Sequence, residues 1–230
     1  MFALNTPAPM TKSLRVLAVL LSYPDARLRQ YLPEMRELLH EEKSVSASRL
    51  LELDALMSQL ARAELLQAES DYVELFDRGR ATSLHLFEHV HGDSRDRGPA
   101  MIDLGQTFES AGLILTEGEL PDYLPAVLEF VSTQPVREAR AFLGEMAHIF
   151  NAIFGAMQAR HSAYASVLGA LIELAGEKAQ AVKPPVEETL DESWAEPVVF
   201  DGCSSKGQSK PGQPQPIHIV RNNAAQGAQP

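Results

Sequence analysis

The feature that most constrains this chain is an apolar stripe of helical period. Phe142, Leu143, Met146, Ile149, Phe150, Ile153, Phe154 and Met157 recur at intervals of one, three and four, which puts them on one broad face of a helix. That helix opens near Pro135, whose fixed φ suits a first helical turn. A second stripe, Tyr164, Val167, Leu168, Leu171, Ile172 and Ala175, stops at Gly176, the residue type that most often follows a helix end. The same reading predicts helices over 11–21, 25–40 with a break at Pro33, 46–66, 67–77, 95–111 and 121–132. Before residue 180 no four residues alternate strictly between apolar and polar within turn signals, so a sheet is not expected. The fold class is therefore all-α, a single globular bundle of about eight helices. Stripes of this width do not fit a coiled-coil seam, and no fixed-period repeat suggests a solenoid.

A chain of 230 residues can bury one substantial core without disulfide or metal staples. Its composition changes near residue 180: 8 prolines occupy the first 180 positions and 7 the last 50. The expected organisation is a flexible N-terminus over 1–10, an all-helical domain over 11–180, and a largely disordered Pro/Gly/Ser/Gln-rich tail over 181–230. Two apolar islands, 194–200 and 217–220, interrupt that tail.

The net charge of −11 opposes general binding to nucleic acid or anionic lipid. A lone Cys203 can form neither an internal disulfide nor a cysteine-based zinc site, which suits a reducing, cytoplasmic setting. The apolar run over 14–21 falls short of the roughly 18 residues a membrane span needs, and Ser22-Tyr23-Pro24-Asp25 offers no signal-peptide cleavage site.

Helical patterning breaks down between Phe76 and Gly98, where three of the seven histidines lie among Arg78, Arg80, Arg95 and Arg97. A loop so rich in His, Arg and Asp between Leu-rich helices is a candidate binding region. Within it, His85-Leu86-Phe87-Glu88-His89 matches H-x-x-E-H, in which two histidines on a helix face hold zinc and the glutamate acts as general base. A zinc-dependent hydrolase is thus one reading. The plainer alternative packs Leu84, Leu86, Phe87 and Val90 inward and leaves His85, His89 and His91 bonded to neighbouring acceptors. His148, beside Ile149 and Phe150, reads as a hydrogen-bonded boundary residue. The chain has no G-x-G-x-x-G or G-x-x-x-x-G-K-[ST] motif, so no nucleotide cradle is indicated.

The run Tyr72-Val73-Glu74-Leu75-Phe76-Asp77-Arg78-Gly79-Arg80, continued by 83–98, closely resembles the NarJ family of respiratory nitrate reductase assembly chaperones, the delta subunits. Leu20-Leu21-Ser22-Tyr23-Pro24-Asp25 and Glu119-Leu120-Pro121-Asp122-Tyr123-Leu124-Pro125 agree with it. The resemblance implies a cofactor-free, all-helical, non-catalytic protein of the molybdoenzyme-specific chaperone group. Such a protein binds the apo catalytic (alpha) subunit of nitrate reductase, mainly at its N-terminal segment, and keeps it competent for molybdenum cofactor insertion. It is absent from the finished enzyme. The wider group often has His where this chain has Tyr123, which packs and hydrogen-bonds but does not titrate near neutral pH.

A captured peptide is best accommodated as an amphipathic helix in an apolar groove. The expected groove residues are Tyr72, Phe76, Leu84, Phe87, Leu124 and Leu128, with Glu88, His89, Glu119, Asp122 and Tyr123 around them; ordinary core packing is the alternative for each apolar member. Arg78, Arg80, Arg95 and Arg97 are expected to order the loop through Asp77, Asp93 and Asp96 or to contact anions. No metal, cofactor or catalytic residue is expected.

Overall fold

The computed structural model describes residues 9–92, 94–116 and 118–179. The expected tail over 181–230, with its two islands, and the first eight residues lie outside them. Met10 is buried against the body.

Helix α1 (Thr11–Leu20) has no capping side chain of its own. The Glu42 carboxylate takes its first free N–H groups instead, those of Lys12 at 3.0 Å and Ser13 at 2.7 Å, where negative charge also complements the helix dipole. Helix α2 (Ala26–Glu42) starts at Asp25, which accepts from the Leu28 N–H at 2.7 Å, and ends at Lys43 in the left-handed region. The expected break at Pro33 does not occur. Pro33 is exposed, so the hydrogen bond it cannot donate is lost on the side facing water, while Leu28, Leu32, Met35 and Leu39 keep the buried stripe continuous.

Helix α3 (Ala47–Arg62) is capped by Ser46 and tied to the last helix through Glu173, which receives the Ser46 N–H at 3.0 Å and Arg49 Nε at 3.1 Å. After α4 (Leu65–Phe76) come a 3-10 turn (Arg80–Thr82), the short α5 (Leu86–Val90) and α6 (Arg97–Ser110). The chain closes with α7 (Leu124–Thr133), α8 (Val136–Glu145), α9 (Ala147–Ala159) and α10 (Ala165–Ala175). Two helices organise the core. α1 packs on α2 and α7; α10 packs on α3, α8 and α9 and is buried on nearly every side. Each fully buried Leu or Ile there contributes about 1.5–3 kcal/mol of transfer free energy.

The described residues hold ten α-helices and no strand, only an isolated antiparallel bridge between His85 and Tyr123. One helix expected from Pro135 to Met157 is two, parted at Met146. The apolar stripe runs straight across that turn, so its period does not reveal it. The His148 imidazole Nδ1 donates to the Glu145 carbonyl at the break, 3.0 Å away. Helix α5 was not expected, because five residues are too few to show a period. No helix among the described residues is long and apolar enough to cross a membrane.

Candidate functional site

The His85–Tyr123 bridge closes the base of an excursion that contains α5 and α6. Leu86 N–H donates to the Asp122 carbonyl at 3.0 Å, and Leu124 N–H donates to the Leu84 carbonyl at 2.8 Å. Side chains of extended backbone alternate in direction. Leu84, Leu86, Asp122 and Leu124 therefore turn inward, all at most 3% exposed, while His85 and Tyr123 stay half-buried with ring centroids 5.4 Å apart.

Asp122 is the centre of this clasp. Its carboxylate has no solvent exposure, and a buried charge is tolerable only when fully partnered. Oδ1 accepts from His85 Nδ1 at 3.2 Å, and Oδ2 accepts from the Phe87 N–H at 3.2 Å. The Arg97 guanidinium lies 3.6 Å from Oδ2 and 3.5 Å from Glu88 Oε1. The hydrogen bond to Asp122 raises the pKa of His85 above its ordinary value against the opposing effect of burial. Beside it, His89 Nε2 donates to the Ser83 carbonyl at 2.9 Å.

Aromatic side chains back the clasp. The Tyr72 hydroxyl donates to the Leu21 carbonyl at 2.7 Å and lies 3.3 Å from the Tyr123 hydroxyl. Its ring packs on Phe76 at 4.6 Å and meets Tyr23 edge-on at 5.6 Å. Phe76 in turn meets Tyr164 edge-on at 5.1 Å. Burial pushes the phenols of Tyr72, Tyr123 and Tyr164 upward, so all three stay neutral at physiological pH. The structure therefore uses Tyr123 as a packing and hydrogen-bonding group.

The expected site residues separate by burial. Tyr72, Phe76, Leu84, Asp122, Leu124 and Leu128 are buried and form the wall. Phe87, Glu88, His89 and Tyr123 are half-buried and gather at the clasp. Glu119 is exposed and accepts from the Thr116 N–H at 3.2 Å. Of the arginines only Arg97 joins Asp122. Arg78 pairs with Glu74 one turn back, Arg80 reaches the turn at Gly92, and Arg95 is exposed. Sequence reasoning missed that His85 and Arg97 converge on Asp122. No local signal places a residue at 122 against residues at 85 and 97.

The zinc geometry is not formed. His85 precedes α5 with extended backbone (φ −88°, ψ 104°), so it does not share a helix face with His89. Its Nδ1 is engaged by Asp122, His89 by Ser83, and Glu88 by Arg97. Among the described residues no three His, Cys, Asp or Glu side chains are placed to hold a metal ion. The clasp is a cluster of half-buried polar groups over an apolar core.

A family model described as nitrate reductase delta subunit matches residues 23–170. The nitrate reductase molybdenum cofactor assembly chaperone NarJ of Escherichia coli (strain K12) is 40% identical over 194 residues, covering 80% of this chain and 82% of that one. The nitrate reductase-like protein NarX of Mycobacterium tuberculosis (strain H37Rv) is 35% identical over 177 residues, 75% of this chain but 26% of the longer protein. A solved Archaeoglobus fulgidus structure, described as a candidate redox enzyme maturation protein, superposes with a TM-score of 0.52 at 18% identity. It covers 77% of this chain and 100% of its own, and it shares the fold.

Proposed function

The chain belongs to the nitrate reductase delta subunit family, and on that premise we propose that it is a dedicated assembly chaperone for respiratory nitrate reductase. It is a binding protein of the family's non-catalytic kind. It holds the apo catalytic subunit competent for molybdenum cofactor insertion, in the cytoplasm, and leaves before the enzyme is complete. The observation that carries this reading is the 40% identity to an assembly chaperone over four fifths of both chains. The family model itself covers 23–170, most of the helical body.

The client's N-terminal segment is the part engaged first, at the clasp. Phe87 and Tyr123 supply apolar surface there, and Glu88, His89 and Glu119 supply polar rim. Asp122, with the wall of Tyr72, Phe76, Leu84, Leu124 and Leu128, holds that surface in place. Arg97 orders the loop through Asp122 and Glu88.

Complementation tests the assignment. In cells that lack their own nitrate reductase chaperone, expression of this chain is expected to restore molybdenum to the catalytic subunit and nitrate-reducing activity. Unrestored molybdenum content despite normal expression would overturn it. Deleting the client's N-terminal segment is expected to abolish capture of the apo subunit by the purified chain; undiminished capture would exclude that segment as the contact.

A further inference from the structure

Helix α6 buries a smaller share of its length than any other described helix. Of its 14 residues only Phe108 is buried, whereas α10 buries nine of eleven. The Phe108 ring stacks on Phe130 at 4.7 Å, and Phe130 meets Phe142 edge-on at 5.6 Å. One aromatic plug thus seats the end of the helix, with Leu104 and Leu113 packed half-buried beside it. At the other end Arg97, its first residue, lies 3.6 Å from Asp122 Oδ2 and 3.5 Å from Glu88 Oε1. Between these two anchors every residue is half-buried or exposed, and Ile102 is 61% exposed.

The helix has little stability of its own. No side chain caps its first turn; the Asp96 carboxylate, at the capping position, accepts from the Ser94 hydroxyl at 3.1 Å instead. Gly105 sits in its interior, where a Cβ would meet nothing within 4 Å, so no close approach calls for a glycine and only its helix-weakening effect remains. Gly92 (φ 52°) precedes α6 and Gly112 (φ 80°) follows it, which gives the backbone a place to swing on either side. A lone helix of this length is marginal in water. Its order therefore rests on the plug and on Arg97, and both can let go without touching the packing of α1 or α10.

We propose that α6 is a hinged flap over the Phe130–Phe142 seat, plugged by Phe108 and latched to the clasp by Arg97, which opens as one unit between Gly92 and Gly112 while the bundle stays folded. Closed, it supplies Asp122 with a guanidinium. Open, it leaves that carboxylate to His85 and the Phe87 N–H and uncovers the face of Phe130. The clasp accordingly has two states, and the position of the flap selects between them.

Native-state hydrogen exchange on the full chain tests this. Amides over 101–110 are expected to exchange at least about 100-fold faster than those of α10, and to converge on one common opening in low urea with a shallow denaturant dependence. Phe108→Leu, which keeps an apolar plug but loses the stacking, and Arg97→Gln, which loses the latch, are each expected to speed exchange over 101–110 by about fivefold or more and to leave α10 within about twofold. Gly105→Ala strengthens the helix without compromising the fold and is expected to slow exchange over 101–110 by about threefold. Protection over 101–110 equal to that of α10, amides that open independently of one another, acceleration spreading equally into α10 in Phe108→Leu, or unaltered exchange in Arg97→Gln would each overturn the proposal. Because the client assignment is read from molybdenum content, the two fail independently.

Discussion

His85 Nδ1 sits 3.2 Å from Oδ1 of Asp122, so a half-exposed imidazole is bonded to a carboxylate that no water reaches. The pair joins the start of α5 to the start of α7 across 37 residues of sequence. That long-range bond makes the clasp a tertiary element with its own contribution to stability.

Removing the carboxylate is expected to be costly. Asp122→Ala strands the Phe87 N–H and takes one of the Arg97 carboxylates away, which is expected to cost about 3 kcal/mol. Asp122→Asn keeps the shape and one acceptor and is expected to cost about half as much. Urea unfolding of both variants measures this; equal stability of Asp122→Ala and the wild type would show that the carboxylate does not hold the clasp.

The same bond gives a direction to pH dependence. With the His85 pKa raised in the folded state, its contribution is fully present below the unfolded value of about 6.5. It is lost as pH rises through the higher folded value. The stability of the wild type relative to His85→Gln is therefore expected to decline between mildly acidic and mildly alkaline pH. An NMR titration of the His85 ring with its midpoint below that of a free histidine would contradict it.

Two buried tyrosines are expected to behave oppositely. Tyr72→Phe removes a 2.7 Å bond to the Leu21 carbonyl and leaves that acceptor buried, at about 1–2 kcal/mol. The Tyr164 hydroxyl is buried with no hydrogen-bond partner among the described residues. Tyr164→Phe is thus expected to leave stability unchanged or raise it by up to about 1 kcal/mol. Thermal unfolding distinguishes them, and equal losses would mean that the Tyr164 hydroxyl has an acceptor of its own.

Gly79 is needed for close approach. A Cβ there would stand 2.4 Å from Thr82 Oγ1 and 2.7 Å from an Arg160 guanidinium nitrogen. Thr82 is fully buried and donates its single hydroxyl proton to the Leu75 carbonyl, with the Gly79 carbonyl 3.1 Å away, so it cannot turn aside without losing that bond. Gly79→Ala is expected to cost about 1–3 kcal/mol in chemical denaturation. A loss under a few tenths would mean that Arg160 and Thr82 yield freely.

Most of the bundle was legible in the sequence. The stripe of α10 and its Gly176 stop were readable because one face of a long helix must be apolar and a left-handed residue must end it; Gly176 has φ 85°. Three things were not legible. Pro33 reads as a break, yet an exposed proline interrupts only a water-facing bond. The turn at Met146 keeps the stripe in phase. The boundary between α3 and α4 falls at 63–64 and not at 66–67, because Leu65 and Leu66 fit the apolar count of either helix. The clasp was half legible: Phe87, Glu88, His89, Asp122 and Tyr123 were all singled out, but what joins them is a pairing of distant segments, which periodicity does not encode.

The closure of the 86–122 excursion has a consequence for its tolerance to change. Two backbone bonds and the Asp122 side chain fasten its base. Between the anchors at Arg97 and at Phe108, whose ring stacks on Phe130 at 4.7 Å, substitutions at exposed positions are expected to leave the packing of α1 and α10 undisturbed. The stretch between those two anchors is thereby expected to accept changes of sequence that the buried faces of α1 and α10 do not.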